Sequence, residues 1–148
     1  MDSVAQVKKL FFDSKVVTDS VDRATRKVLS KFGAFVRRSA KSSIRKRNAA
    51  SAPGSPPSSH AGHLKRLIYF SYDPGRQSVV VGPTPFNTSV GIAPPLLEYG
   101  GTTTVKVRER WSGKTKKKSA TYRARPFMTP AFEKERPKLP SMWADSVK

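Results

Sequence analysis

The sequence predicts an α+β fold: a long amphipathic helix packed on an antiparallel sheet of two hairpins, followed by a short C-terminal helix. Three observations predict it. Apolar or small residues recur at steps of three and four across residues 19–46. Two later stretches are rich in β-branched and aromatic residues and are interrupted by turn chemistry. A Thr-Pro pair at 129–130 opens a last apolar-periodic run.

The long helix carries Val21, Ala24, Val28, Phe32, Phe35, Val36, Ala40 and Ile44 on its apolar side. Asp19 or Ser20 is its expected N-cap, with Asp22 in the positive first turn. Arg45, Lys46 and Arg47 are expected in the last turn, where cations suit the negative end of the dipole. Gly33 costs the helix interior about 1 kcal/mol relative to Ala, and a glycine there commonly admits a close neighbour. A shorter leading helix is expected around Val4, Val7, Leu10 and Phe11. Residues 48–62, rich in Pro, Gly and Ser, are expected to form a mobile loop.

Residues 64–82 read as the first hairpin, with Asp73-Pro74-Gly75-Arg76 as its turn. Leu67, Tyr69 and Ser71 fall on one face, and Ile68, Phe70 and Tyr72 on the other. Both faces carry apolar groups, so the helix covers one and a neighbour is expected on the other. Residues 83–101 hold four prolines and read as an irregular connection with one helical turn at 95–99. The second hairpin runs from Thr102 to Trp111 and from Ser119 to Arg125, with the basic stretch 114–118 as its tip. Thr129 is the expected cap of the last helix. Pro137 and Pro140 end it, leaving residues 137–148 as a tail. One domain is expected over 1–148, with its core at about 19–135.

Composition bounds the function. The chain has 148 residues, 29 Lys and Arg against 10 Asp and Glu, and a formal charge of +19. The absence of cysteine excludes disulfide scaffolds, cysteine-ligated metals and thiol nucleophiles. No apolar run approaches the roughly 18 residues of a membrane span. The N-terminus lacks a basic segment followed by an apolar stretch, so a soluble intracellular product without membrane partners is expected.

The charge is concentrated. Residues 23–47 hold Arg23, Arg26, Lys27, Lys31, Arg37, Arg38, Lys41, Arg45, Lys46 and Arg47 with no acid. Residues 106–125 add a second block, including Lys114, Lys116, Lys117 and Lys118, against the single Glu109. Such a field attracts polyanions or acidic protein surfaces. Arg37, Arg38, Lys41, Arg45, Lys46, Arg47, Lys114, Lys116, Lys117 and Lys118 are the candidate contacts.

Catalytic chemistry finds little support. Ser112-Gly113-Lys114-Thr115 has the end of a phosphate-binding loop, but Arg108 stands where the first glycine is required. His60 and His63 lie in a Pro/Ser-rich loop without a nearby Cys, Asp or Glu. Glu133 and Glu135 are two apart on an expected helix and do not share a face. No catalytic residue, metal or cofactor is expected. Glu98 is conspicuous, alone between Leu97 and Tyr99 before Gly100-Gly101. It is a surface acid, a partner of an arginine in the same chain, or a contact to a basic group on a neighbour.

The ordered motifs resemble a family. They are Arg37-Arg38-Ser39-Ala40, Ala52-Pro53-Gly54-Ser55-Pro56-Pro57 and Gly62-His63-Leu64-Lys65-Arg66-Leu67-Ile68. Ser78-Val79-Val80-Val81-Gly82-Pro83 follows, then Leu97-Glu98-Tyr99-Gly100-Gly101-Thr102 and Arg125-Pro126-Phe127-Met128-Thr129-Pro130-Ala131-Phe132. Over about residues 23–135 the chain resembles the neck or tail-completion proteins of long-tailed double-stranded-DNA bacteriophages, the group of the lambda-like minor tail protein Z. The resemblance implies a non-enzymatic virion protein at the head–tail junction, in a homo-oligomeric ring, expected six-fold, around the DNA channel. Its implied partners are connector or stopper proteins on one side and tail-terminator or tail-tube proteins on the other. Double-stranded DNA in the channel is a further possible contact. It implies that Glu98, Tyr99, Gly100 and Gly101 shape a tight turn near a subunit contact, and that Arg125, Pro126 and Phe127 anchor the following helix. Non-specific nucleic-acid binding through the two basic segments is the competing expectation.

Overall fold

The computed structural model describes residues 14–84, 93–108, 114–144 and 146. Helix α1 spans Ser14–Ser43, the short helix α2 His63–Arg66, and strands β1 and β2 Ile68–Asp73 and Ser78–Pro83. Helix α3 follows at Ala93–Tyr99, then strands β3 and β4 at Gly101–Arg108 and Thr115–Tyr122. Helix α4 (Met128–Glu135), a 3-10 turn (Arg136–Lys138) and helix α5 (Leu139–Ala144) complete the order. The fold is α+β.

Helix α1 forms on the expected stripe: Ala24, Val28, Phe32, Val36 and Ala40 are buried at steps of four. Its ends differ from expectation. The helix starts at Ser14, so Asp19 and Ser20 lie inside it and cap nothing, and no acid stands in its first turn. Nothing in Lys15–Val21 breaks a helix, so the helix continues upstream of the buried stripe. It ends before Arg45, Lys46 and Arg47. The hydroxyls of Ser42 and Ser43 donate to the carbonyls of Ser39 and Ala40, competing with the helical ladder. Asp22 instead accepts from Gln77 Nε2 at 2.6 Å, tying the helix to the first hairpin turn. The proposed leading helix lies outside the described residues.

Strands β1 and β2 pair antiparallel, with Ile68 opposite Pro83 and Asp73 opposite Ser78. The turn is closed by Asp73, whose Oδ1 accepts from the backbone N–H of Gly75 at 2.9 Å and of Arg76 at 3.3 Å. Strand β1 starts at Ile68, because residues 63–66 coil into α2 and bury Leu64. Ile68 faces the core, whereas Tyr69 and Val80 are 49% and 65% exposed. The core joins Phe32, Val36, Ala40, Ile44, Leu64, Ile68, Phe127 and Ala131. Each large side chain in it contributes about 1.5–3 kcal/mol by leaving water.

The second hairpin forms its own two-stranded sheet and does not extend the first. Gly101 pairs with Tyr122 and Arg108 with Thr115. The basic stretch 114–118 is therefore not a tip: Thr115–Lys118 is strand, paired with Val105–Arg108. Cross-strand hydrogen bonding overrides the low strand preference of lysine. The C-terminal stretch is not a simple tail either. Pro137 sits in the first turn of the 3-10 segment and Pro140 in the first turn of α5, where their missing N–H groups cost nothing. Leu139 and Met142 pack against the core. The loop at 48–62 is tied to the body: Arg45 bridges Ser58, and Gly54 N–H donates to the Ala124 carbonyl at 2.9 Å.

Gly33 is the contact point of helix and hairpin. A Cβ there would stand 2.6 Å from Val79 Cγ2 and 3.0 Å from Phe70 Cδ2. The neighbour admitted is a pair of side chains from both strands. Gly33→Val is expected to destabilise the fold by about 2 kcal/mol through overpacking, measured as a lowered urea midpoint with unchanged slope.

Candidate functional site

The junction between α3 and α4 gathers the two most telling sequence motifs. Helix α3 ends at Tyr99, and Gly100 follows with φ of 74°, its N–H donating to the Leu96 carbonyl at 2.9 Å. This is a left-handed helix stop, which favours glycine. A Cβ on Gly100 would also stand 3.0 Å from Tyr122 O and Ala124 N. Gly101, at φ 135°, then opens β3. The chain returns antiparallel through β4, and Arg125 N–H donates to the Leu97 carbonyl at 2.6 Å. The Arg125 side chain donates from Nε to Ser51 O at 2.9 Å, and Phe127 is 1% exposed in the core.

Glu98 is at the centre of this junction. It is 8% exposed, and its carboxylate accepts from three successive backbone N–H groups. Oε2 takes Phe127 at 2.9 Å and Met128 at 3.0 Å, and Oε1 takes Thr129 at 2.8 Å. A helix leaves its first four N–H groups without internal partners. For α4 these belong to Phe127, Met128, Thr129 and Pro130, and Pro130 has none to satisfy. One carboxylate and one proline therefore complete the helix start, with negative charge at the positive end of the dipole. Glu98 is neither a surface acid nor an arginine partner, and its carboxylate is occupied within its own chain. Thr129 is not the cap: α4 starts one residue earlier, and the cap position is Phe127, which offers no side-chain acceptor.

Burial alone would push the Glu98 carboxyl up, but the N–H groups of Met128, Phe127 and Thr129 outweigh it and hold the group below its ordinary value. A second buried carboxylate is Glu135, whose spacing from Glu133 gave no sign of its burial. It is 4% exposed, accepts from Ser39 Oγ on α1, and pairs with Lys138 Nζ at 2.6 Å. Lys138 and Ser39 hold its carboxyl below the ordinary range against burial. Its signal was its place one turn after Ala131, on the core face of α4.

The basic candidates divide. Arg37, Arg38 and Lys41 lie on α1. Arg45, Lys46 and Arg47 follow the helix end and are exposed. Lys114 precedes β4, and Lys116, Lys117 and Lys118 are exposed within it. Lys117 stands directly opposite Lys106. Such a like-charge pair weakens the hairpin. Tyr99 is 78% exposed, and Pro126 is half-buried behind Phe127.

His60 and His63 are exposed. Among the described residues no group of three His, Asp or Glu could hold a metal ion. Thr115 begins a strand, where a phosphate-binding loop would need a helix. No described helix is long and apolar enough to cross a membrane. No protein-family model, curated protein or solved structure matches the chain.

Glu98→Ala is expected to cost about 2–3 kcal/mol, because it leaves buried N–H groups without an acceptor. The Glu98 carboxyl is depressed by folding, so its stabilisation is complete above the unfolded value of 4.5 and is lost as pH falls through the folded value. Glu98→Gln should therefore flatten the acid limb of stability against pH, leaving the share from Glu135. Thermal melts from neutral pH into acid measure both.

Proposed function

We propose that this chain is a structural virion protein of a tailed bacteriophage, joining head and tail at the neck. In this reading its copies form a ring around the DNA channel, between connector or stopper proteins and tail-terminator or tail-tube proteins. The carrying observation is the β3–β4 hairpin. It is a separate two-stranded sheet whose strands are largely exposed. Two eight-residue strands reach about 27 Å. A lone hairpin of this kind is marginal in water, so neighbouring subunits are its natural cover. The exposed Val80 on the first hairpin and Tyr99 beside the junction supply further apolar contact area. The motif resemblance around Glu98 and Phe127 supports the neck reading, in which the basic segments face acidic neighbours or the channel DNA.

Phe127 is a core residue, so replacing it tests folding rather than joining. Tyr99→Asp changes an exposed residue and should leave the melt within about 0.5 kcal/mol of the parent. The expected result is full heads and complete tails that fail to join, seen by electron microscopy and a collapse in titre. Normal titre with Tyr99→Asp removes Tyr99 from the contact. Absence of the protein from purified particles removes the neck reading.

A second reading, non-specific duplex binding, is favoured by the outward face of α1, where Arg23, Lys27, Lys31 and Arg38 are all exposed. It predicts an affinity that falls steeply with salt, by about 0.9 in logarithmic slope per phosphate contact. Fluorescence anisotropy on a labelled duplex across a salt series measures it.

A further inference from the structure

Two cations, Arg37 and Lys41, converge on Tyr69 where α1 meets β1, with Lys65 of α2 as their neighbour. Arg37 Nε donates to the Ile68 carbonyl at 2.9 Å, which fixes the guanidinium and leaves its two terminal amino groups for another partner. Arg37 Cζ lies 5.7 Å from the centre of the Tyr69 ring. Lys41, one turn further along α1, places Nζ 5.7 Å from the same centre. Lys65 belongs to α2, which docks on α1 through Leu64 in the core shared with Ala40 and Ile44. Burial, then Arg37, then Lys65, lower the Lys41 pKa.

Among the described residues no carboxylate forms an ion pair with this cluster, and four of them are engaged elsewhere. Asp22 holds Gln77, Asp73 closes its own turn, Glu98 caps α4, and Glu135 holds Ser39 and Lys138. Like charges one helical turn apart destabilise a helix. The arrangement is therefore unfavourable in the chain alone and becomes favourable around an anion. Arginine supplies a planar fork and lysine a mobile point charge, the pair of donors that suits a phosphate group. Beyond the cluster, exposed Arg38, Lys31 and Lys27 continue the positive charge along α1. That row favours a polymer whose charges repeat over a single carboxylate.

We infer that Arg37 and Lys41, gathered around the Tyr69 ring, form with the neighbouring Lys65 a seat for a backbone phosphate of a nucleic acid. The seat presupposes the second reading above and gives that reading a location; it needs no ring.

The test compares two double variants with equal charge loss in the full chain: Lys41→Gln/Lys65→Gln at the seat, and Lys106→Gln/Lys117→Gln on the second hairpin. Anisotropy on a labelled DNA duplex is read across a salt series, beside thermal melts. The seat variant should lose about tenfold in affinity and about two in salt slope. It should also melt about 1–2 °C higher, because a repulsion is removed. A merely structural role would move stability down together with affinity. The hairpin variant should change affinity less. If both variants lose affinity equally, there is no seat and only net charge binds. If the parent does not bind duplex at all, the second reading fails and the seat with it. If the parent binds poly-glutamate as tightly as duplex, and the seat variant loses both alike, the site is a general anion site and the phosphate assignment is overturned.

Discussion

The Glu98 carboxylate decides how the C-terminal half of the molecule is built. Its three N–H partners are consecutive, so it fixes the axis of α4 as well as its first residue. With that axis fixed, Phe127 and Ala131 enter the core, Phe132 meets the Phe32 ring edge-on at 5.9 Å, and Glu135 reaches Ser39. The glycine stop at the end of α3 serves the same end. By turning the chain at Gly100 it lets the segment after β4 return beside Leu97. The two ends of the second hairpin are therefore clamped at its base, although its strands are largely exposed.

The charge pattern follows from the same economy of acids. With few carboxylates and several of them tied to backbone or neighbouring side chains, the outward surface is left strongly positive. Phe35 lies within 6 Å of both Arg38 and Lys138, so aromatic rings stand beside cations where acids do not. The two signs of charge therefore do different work at neutral pH: several acids are engaged in contacts inside the fold, and most bases stand on its surface.

Much of this was legible in the residues. The α1 stripe was, because burial on one face imposes a period that a sequence must show. The first hairpin turn was, because Asp73 and Gly75 have narrow local uses. The Leu97–Gly101 and Arg125–Phe127 segments stand out in the sequence as separate motifs, but that they pair with each other does not. A cap delivered by a residue 29–31 positions away leaves no local mark, and Thr129-Pro130 offered a plausible local cap that the structure does not use. The start of α1 lies upstream of its expected place for the opposite reason: the upstream turns carry no buried residue and so show no period. The lysines of β4 read as a loop because strand pairing is non-local. Glu135 was set aside by comparison with Glu133, when the relevant neighbour was Ala131.

Helix α1 is about 45 Å long at 1.5 Å per residue. Its buried residues begin only at Ala24, and Val17 and Val21 are 59% and 41% exposed. None of the first ten residues is buried, and Asp22 ties this stretch to the first hairpin through Gln77. Elongating an existing helix needs no new nucleus, so the turns before Ala24 can rearrange without opening the core, which begins at Phe32. Amide hydrogens should accordingly exchange on a gradient along a single helix, fastest toward Ser14 and slowest past Phe32. One continuous helix thus spans two regimes, exposed turns before Ala24 and core-anchored turns after it.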